Sequence, residues 1–316
     1  MEKPTMTAEA AQMSKLQAWY LATRPRVFTA SFVPMGLAAV IAVQDGVFRP
    51  LIFLLALLGV MLLQTAANLV NEYADFHKGA EDLKQAGQSM VIKKKILTPR
   101  EVLAGAVFCV VAGCAIGLFM LAQSGPWLWL IGVGGVLVAI TYTAGPFPLA
   151  YNGLGELAAG IFMGPMIVVG AYYVMDPSIS PQKGVMLAAQ SLPVMFMVAN
   201  ILHANNIRDM DADRAVGKRT LAVRFGLRVA RLEYRALTAL TYVSQAALVL
   251  AGWMPPTTLL TALTLPEALR LVRIVDTETD VARLHMAQGR TARLHGQFGL
   301  WLVLGWALWL LLDRIL

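Results

Sequence analysis

Charge is scarce in this chain. Only 14% of its 316 residues are Asp, Glu, Lys or Arg, while 58% are hydrophobic. An ordinary soluble domain is nearer to about a quarter charged, so the balance excludes one and points to a polytopic, all-α membrane protein. Cysteine is scarcer still. Cys109 and Cys114 share one apolar run, at a spacing that fits no metal motif and builds no disulfide framework; they read as packing residues. Interdomain linkers and low-complexity tracts are missing, so residues 1–316 are expected to form one transmembrane domain. Residues 1–26 form a polar, basic arm without a short apolar stretch ending at a small-residue cleavage site. The first span is therefore expected to stay as an anchor. The net charge of +7 is what cytoplasmic loops carry, and nucleic acid is not an expected partner.

Long apolar runs are what the chain has in abundance. Nine come close to the ~20 residues a bilayer needs, near 27–44, 51–70, 103–122, 127–145, 155–175, 186–204, 235–252, 257–274 and 297–312. Each is expected to be helical, because backbone polar groups in lipid must be satisfied within the segment. Pro34, Pro165, Pro193 and Pro266 fall inside these runs and suit kinks in packed membrane helices. If the N-terminus is cytoplasmic, the cytoplasmic side holds 23 of the 26 Lys and Arg, with Arg49, Lys183 and Arg314 as the exceptions. That asymmetry fixes the expected orientation: a multi-pass protein of the plasma (inner) membrane with the C-terminus outside and the working loops in the cytoplasm.

Two polar stripes break the apolar pattern. Gln64, Asn68, Asn71, Glu72 and Asp75 end the second run, advancing by three or four residues along one helical face. Asn205, Asn206, Asp209 and Asp213 form a second stripe at the end of the sixth. Asp211 falls on another face and is expected to be solvated. Amides and carboxylates at the mouth of a membrane helix need partners, since polar groups in hydrocarbon are costly. Carboxylates alone repel a phosphate, but carboxylates holding Mg²⁺ attract one, because Mg²⁺ takes one or two carboxylates plus phosphate oxygens. Lys78, Lys84, Lys93 to Lys95, Arg208, Arg214, Lys218 and Arg219 lie among the acids and offer clamps for the remaining oxygens. The two stripes are thus expected to face each other across a cavity and hold metal ions against a diphosphate.

The motifs themselves resemble the UbiA superfamily of intramembrane prenyltransferases. That family carries an N-D-x-x-D element after its second helix and a D-x-x-x-D element after its sixth, on a nine-helix fold. Here the first reads Asn71-Glu72-Tyr73-Ala74-Asp75 and the second runs from Asn205-Asn206-Ile207-Arg208-Asp209 through Asp213, then Gly217-Lys218-Arg219-Thr220-Leu221. The second run, Arg24-Pro25-Arg26, and Tyr142-Thr143-Ala144-Gly145-Pro146 with Gly153-Leu154-Gly155-Glu156 are similar to the branch that prenylates 1,4-dihydroxy-2-naphthoate in menaquinone synthesis. Three departures stand out. Glu72 replaces the usual Asp. Ser89-Met90-Val91-Ile92 occupies a stretch where relatives often carry an Arg. Gly79 stands at a third acidic position, whose role passes to Glu81 or Asp82.

The resemblance implies transfer of a polyprenyl group from an allylic polyprenyl diphosphate to an aromatic acceptor, with Mg²⁺ as cofactor. It implies dihydroxynaphthoate as acceptor, with loss of CO₂ and diphosphate to give demethylmenaquinone. Asn71, Glu72, Asp75, Asp209 and Asp213 are the expected metal set, and Asn68, Asn205, Asn206 and Arg24 join them on the substrate. Lys78, Arg208 and Lys218 are cationic candidates or plain positive-inside charge. Tyr142 touches the acceptor or the developing cation, or is a belt aromatic. Glu156 orients or deprotonates the acceptor, or is a favourable charge at a helix N-terminus. Glu267 is expected to pair within its helix with Arg270. His203 edges the cavity or is a packed, hydrogen-bonded His, and His77, His285 and His295 show no ligand-like spacing. Other acceptors (4-hydroxybenzoate, homogentisate, 1,4-dihydroxy-6-naphthoate) and a transporter remain as alternatives. A transporter, however, would concentrate polar residues near the bilayer midplane.

Overall fold

The computed structural model describes residues 13–79 and 89–315. Helices follow one another as α1 (Lys15–Ala22), α2 (Thr29–Gln44), α3 (Pro50–His77), α4 (Pro99–Gln123), α5 (Trp127–Thr141) and α6 (Gly155–Met175). After these come α7 (Pro181–Gln190), α8 (Leu192–Arg208), α9 (Met210–Ala215), α10 (Leu221–Leu250), α11 (Leu265–Thr277) and α12 (Val281–Asp313). Among the described residues there is no strand.

The ends of these helices are written in the sequence. Thr98 caps α4 and forms a reciprocal box with Glu101, with Pro99 in the first turn. Thr220 and Asp280 cap α10 and α12 by accepting from the N–H of Val223 and Arg283. Pro165 sits in a π turn, Phe162–Met166, midway through α6. Proline removes a helical donor there, and a wider turn absorbs the defect.

Four helices (α3, α4, α6 and α12) are long and apolar enough to cross a bilayer. Two bent pairs raise the number to six if each pair is one span. One is Lys15–Val27 with α2, bent by 54°; the other is α7 with α8, bent by 47°. The other three of the nine expected crossings, 127–145, 235–252 and 257–274, do not meet that measure of length and composition among the described residues. α5 has only 15 residues. α10 carries Arg224, Arg228, Arg231, Glu233 and Arg235 along its first half and is broken at Gly226, whose φ of 80° is left-handed. The expected span at 257–274 is a 3-10 stretch, Pro256–Thr264, running into α11. Its buried Thr258, Thr261 and Thr264 donate to carbonyls three residues back. Pro193 lies in the first turn of α8, at the 47° bend between α7 and α8, and Pro266 lies in the first turn of α11, the position where a missing N–H is harmless.

A core of Leu37, Ile41, Leu187, Phe298, Leu302 and Trp306 joins α2, α7 and α12. On the outside, Phe108, Val111, Trp127 and Leu130 are exposed on α4 and α5, as suits a surface whose solvent is lipid. Between α6 and α8 the backbones approach closely. A Cβ on Gly160 or Gly164 would stand 3.1 and 3.0 Å from atoms of Met195. Small residues four apart permit such contacts where dispersion, rather than water exclusion, drives helix pairing. The consequence for the site is direct: the polar residues of α6 and α8 are pressed against one another.

Candidate active site

The helices enclose a cavity of about 690 Å³ with mostly apolar walls from α3, α4, α5, α6 and α8, within the range of ligand-binding cavities. Gly117 on α4 and Gly132 on α5 line it with open space where a side chain would stand. Polar groups gather along part of the lining: Arg24, Asn68, Asn71, Asp75, Tyr142, Asn205, Asn206, Arg208 and Lys218.

The first stripe is tied to the chain before α2. Asn68 donates to the Thr23 carbonyl at 2.9 Å, and Gln64 to that of Val27 at 2.8 Å. Arg24 donates to the Asn71 Oδ1 at 2.8 Å and holds a left-handed backbone, φ 56° and ψ 59°. A non-glycine residue in that region is costly and persists only where the surroundings hold it. Asp75, 2% exposed, accepts from the Tyr151 hydroxyl at 2.9 Å.

The second stripe is equally committed. Arg208 grips Asp209 with both ends of its fork, Nε–Oδ1 at 2.6 Å and Nη2–Oδ2 at 2.5 Å. It also donates to the Asn205 Oδ1 at 2.7 Å and lies 2.9 Å from His285 Nδ1. Lys218 reaches Asp213 at 3.2 Å, and both are buried. Asp211 is 90% exposed and pairs with Arg214, as its place on another face predicts.

The two stripes converge on Lys218 and Tyr151. Burial works to lower the Lys218 pKa, yet Asp213, Asp75 and Asp209 together hold it above its ordinary value. One ammonium therefore senses carboxylates from both stripes. The Tyr151 ring lies 3.8 Å from Lys78 Nζ and 5.5 Å from that of Lys218, distances suited to cation–π contact. Burial first, then Asp75, pushes the Tyr151 phenol well above its usual range, so it stays a neutral donor. Burial lowers the Lys78 pKa, Asp75 opposes this, and Lys218 adds to it. The Tyr151 carbonyl also accepts from the Arg219 N–H at 2.9 Å.

Several of the expected residues also make contacts outside the two stripes. Glu72, expected among the metal ligands, is fully buried and faces the following loop. Ser89 Oγ bonds one carboxylate oxygen, and the N–H groups of Val91 and Ile92 reach the other at 2.5 and 3.4 Å. Arg24 is 4.0 Å away. The longer arm of Glu reaches the segment 89–92. Lys78 donates to the Thr143 carbonyl at 2.9 Å. Glu267 pairs with Arg290 of α12, at 2.8 and 2.9 Å, not with Arg270. Glu81 and Asp82 lie outside the described residues, as does Lys84.

Glu156 opens α6 and meets α8. It accepts from Asn206 Nδ2 at 2.7 Å and lies 3.1 Å from His203 Nδ1. Sequence reasoning missed two groups here and beside Asp75. Tyr151 sits in the short connection before α6, and Glu233 approaches His203 from α10 at 3.6 Å. Their only signal was an aromatic next to Asn152-Gly153 and an acid amid arginines.

Residues 32–295 match the model of the UbiA prenyltransferase family. A 1,4-dihydroxy-2-naphthoate octaprenyltransferase of Bacillus subtilis (strain 168) is 33% identical over 288 residues, 91% of each chain. A UbiA homolog from Aeropyrum pernix K1, solved in its apo form, shares the fold with a TM-score of 0.67. It is 19% identical, and the match covers 87% of this chain and 97% of that one. Another, from Archaeoglobus fulgidus and bound to DMAPP and Mg²⁺, has a TM-score of 0.60 at 14% identity, over 90% and 98% of the two chains. The chain belongs to the UbiA prenyltransferase family, and it is a multi-pass membrane enzyme that transfers a prenyl group.

Proposed function

We propose that this aromatic prenyltransferase moves a polyprenyl group from an allylic polyprenyl diphosphate to 1,4-dihydroxy-2-naphthoate. The observation that carries this reading is the convergence of the two stripes beside an apolar cavity: Asp213 pairs with buried Lys218 at 3.2 Å, the Lys218 Nζ lies 5.5 Å from the Tyr151 ring, and the Tyr151 hydroxyl donates to Asp75 at 2.9 Å. The convergence supplies a seat for a diphosphate, and the cavity a seat for its tail. The naphthoate is favoured by the similarity to the Bacillus subtilis enzyme of that name.

The donor set fits Mg²⁺. Asp75, Asp209, Asp213 and the Asn71 amide offer hard oxygen ligands, and Glu72 supports them by holding the loop at 89–92. Bound there, Mg²⁺ would neutralise charge on the leaving diphosphate. Lys218, Arg208 and Arg24 lie on the cavity wall and take the remaining phosphate oxygens; Lys78, stacked on Tyr151, adds a further positive charge beside Asp75. Their worth rises with the negative charge that develops as the allylic C–O bond breaks and its electron pair leaves with diphosphate. The apolar walls exclude water that would trap the allylic cation. The Tyr142 ring, on the cavity wall, faces that cation. Asn205 and Asn206 lie on the same wall and would contact the substrate, and Glu156 orients Asn206.

The ring carbon bearing the carboxylate attacks the allylic carbon. The bond to the carboxylate then breaks, its electron pair returns to the ring, and CO₂ departs. Donor and acceptor yield diphosphate, CO₂ and the prenylated naphthoquinol, the reduced form of demethylmenaquinone. The positive-inside asymmetry supports an N-terminus and a diphosphate site on the cytoplasmic side of the plasma membrane.

The test is incubation of purified protein with Mg²⁺, a polyprenyl diphosphate and four aromatic acids: the naphthoate, its 6-carboxylate isomer, 4-hydroxybenzoate and homogentisate. Mass analysis should find the decarboxylated, prenylated naphthoquinol and equimolar diphosphate. A prenylated product from one of the other acids alone would overturn the acceptor assignment. Absence of diphosphate release would overturn the reaction.

A further inference from the structure

Glu156, His203 and Glu233 come from three helices, α6, α8 and α10, and their ligand atoms all lie within 4.8 Å of one another. His203 is fully buried and Glu156 is 4% exposed. The His203 Nε2 lies 2.7 Å from the Ala230 carbonyl oxygen, which can only accept, so that nitrogen carries the proton. The Nδ1 of His203 then faces Glu156 Oε1 at 3.1 Å and Glu233 Oε2 at 3.6 Å. With both carboxylates ionised, even a doubly protonated imidazole leaves one of their charges uncompensated unless a further cation stands between them. Among the described residues no Lys or Arg pairs with either glutamate. Glu156 Oε2 is buried without any hydrogen-bond partner.

The geometry points to a second metal site, in which Glu156, His203 and Glu233 bind a divalent transition ion of the Zn²⁺ type. Ligand bonds of about 2.0–2.2 Å in a tetrahedron place neighbouring ligand atoms roughly 3.3–3.6 Å apart. The observed 3.1 and 3.6 Å bracket that spacing. A donated Nε2–H to a backbone carbonyl is how ligating histidines fix their tautomer. An imidazole nitrogen selects against Mg²⁺ and for Zn²⁺ and its neighbours. Two carboxylates and one divalent ion sum to zero charge, which a second proton on the imidazole would not achieve.

None of the three belongs to the set around Lys218, so the site does not depend on the diphosphate reading. The ion would staple α6, α8 and α10 together just behind the cavity wall. It would also fix Asn206, which bonds Glu156 and lines the cavity.

The experiment uses full-length protein in detergent, freed of any purification tag, stripped with chelator and titrated with Co²⁺ in excess Mg²⁺. Wild type should bind one equivalent with visible ligand-field bands and release it to Zn²⁺, and Zn²⁺ should raise its melting temperature. His203→Gln and Glu233→Gln should each weaken Co²⁺ binding at least tenfold. The double variant Asp75→Asn/Asp209→Asn should bind Co²⁺ as wild type does. Glu233 has a side chain one quarter exposed, so its variant carries the comparison should His203→Gln not fold. No Co²⁺ bound by wild type, or binding undiminished in Glu233→Gln, overturns the proposal.

Discussion

Replacing Tyr151 with Phe isolates one interaction on which the proposed chemistry leans. The ring stays, and with it the contacts to Lys78 and Lys218; the hydroxyl that donates to Asp75 at 2.9 Å is lost. A hydrogen bond to a charged group contributes about 1.5–3 kcal/mol. Tyr151 is only partly buried, and water can replace part of the bond, so the lower half of that range applies. About 1.5–2 kcal/mol corresponds to a fall in kcat/KM of roughly 10- to 30-fold. The assay is initial-rate release of diphosphate against polyprenyl diphosphate at several Mg²⁺ concentrations. Because Tyr151 acts by holding Asp75, the variant should need more Mg²⁺ for half-maximal rate. Tyr151→Leu, which also removes the ring, should be worse. Wild-type kcat/KM and Mg²⁺ dependence in Tyr151→Phe would refute the reasoning, since the hydroxyl would then do nothing for Asp75.

Three further outcomes are expected. Asp75→Asn and Asp209→Asn should each lower product formation by about 10²-fold or more while circular dichroism stays near wild type, and Asp209→Asn should also lower the melting temperature because buried Arg208 loses its bidentate partner; full activity in either would remove it from the metal set. Glu72→Asp should destabilise the protein by about 1–3 kcal/mol, because the shorter arm strands the buried Val91 N–H; an unchanged melting temperature would show that segment 89–92 is held otherwise. Gly164→Leu drives a side chain into Met195 and should cost about 1–3 kcal/mol by overpacking, measured as a lower melting temperature in detergent.

Both polar stripes were legible because helical spacing alone places Asn71 with Asp75 and Asn205 with Asp209 and Asp213. That they face each other was also expected, but what links them was not legible, since the link runs through a tyrosine from a third segment and a lysine beyond the second stripe. Composition showed the membrane class, but not how the last third would use its residues. Hydropathy read 257–274 as one span, whereas buried threonines turn its first half into a 3-10 stretch. Glu267 looked paired to Arg270 because sequence offers only local partners; its bidentate mate, Arg290, is reached through the packing of α11 on α12. Glu233 was invisible for the same reason: a lone acid among arginines looks solvated until α10 lies beside His203.

The open spaces at Gly117 and Gly132 carry a consequence for product size. A tail can be lodged only as far as missing side chains let it, so the cavity acts as a ruler graduated by absent methyl groups. On the proposed function, adding bulk at either glycine would shorten the isoprenoid that fits, while the carboxylates proposed to hold magnesium kept their spacing. Tail length and bond-making chemistry are therefore separable traits in this scaffold, open to change one residue at a time.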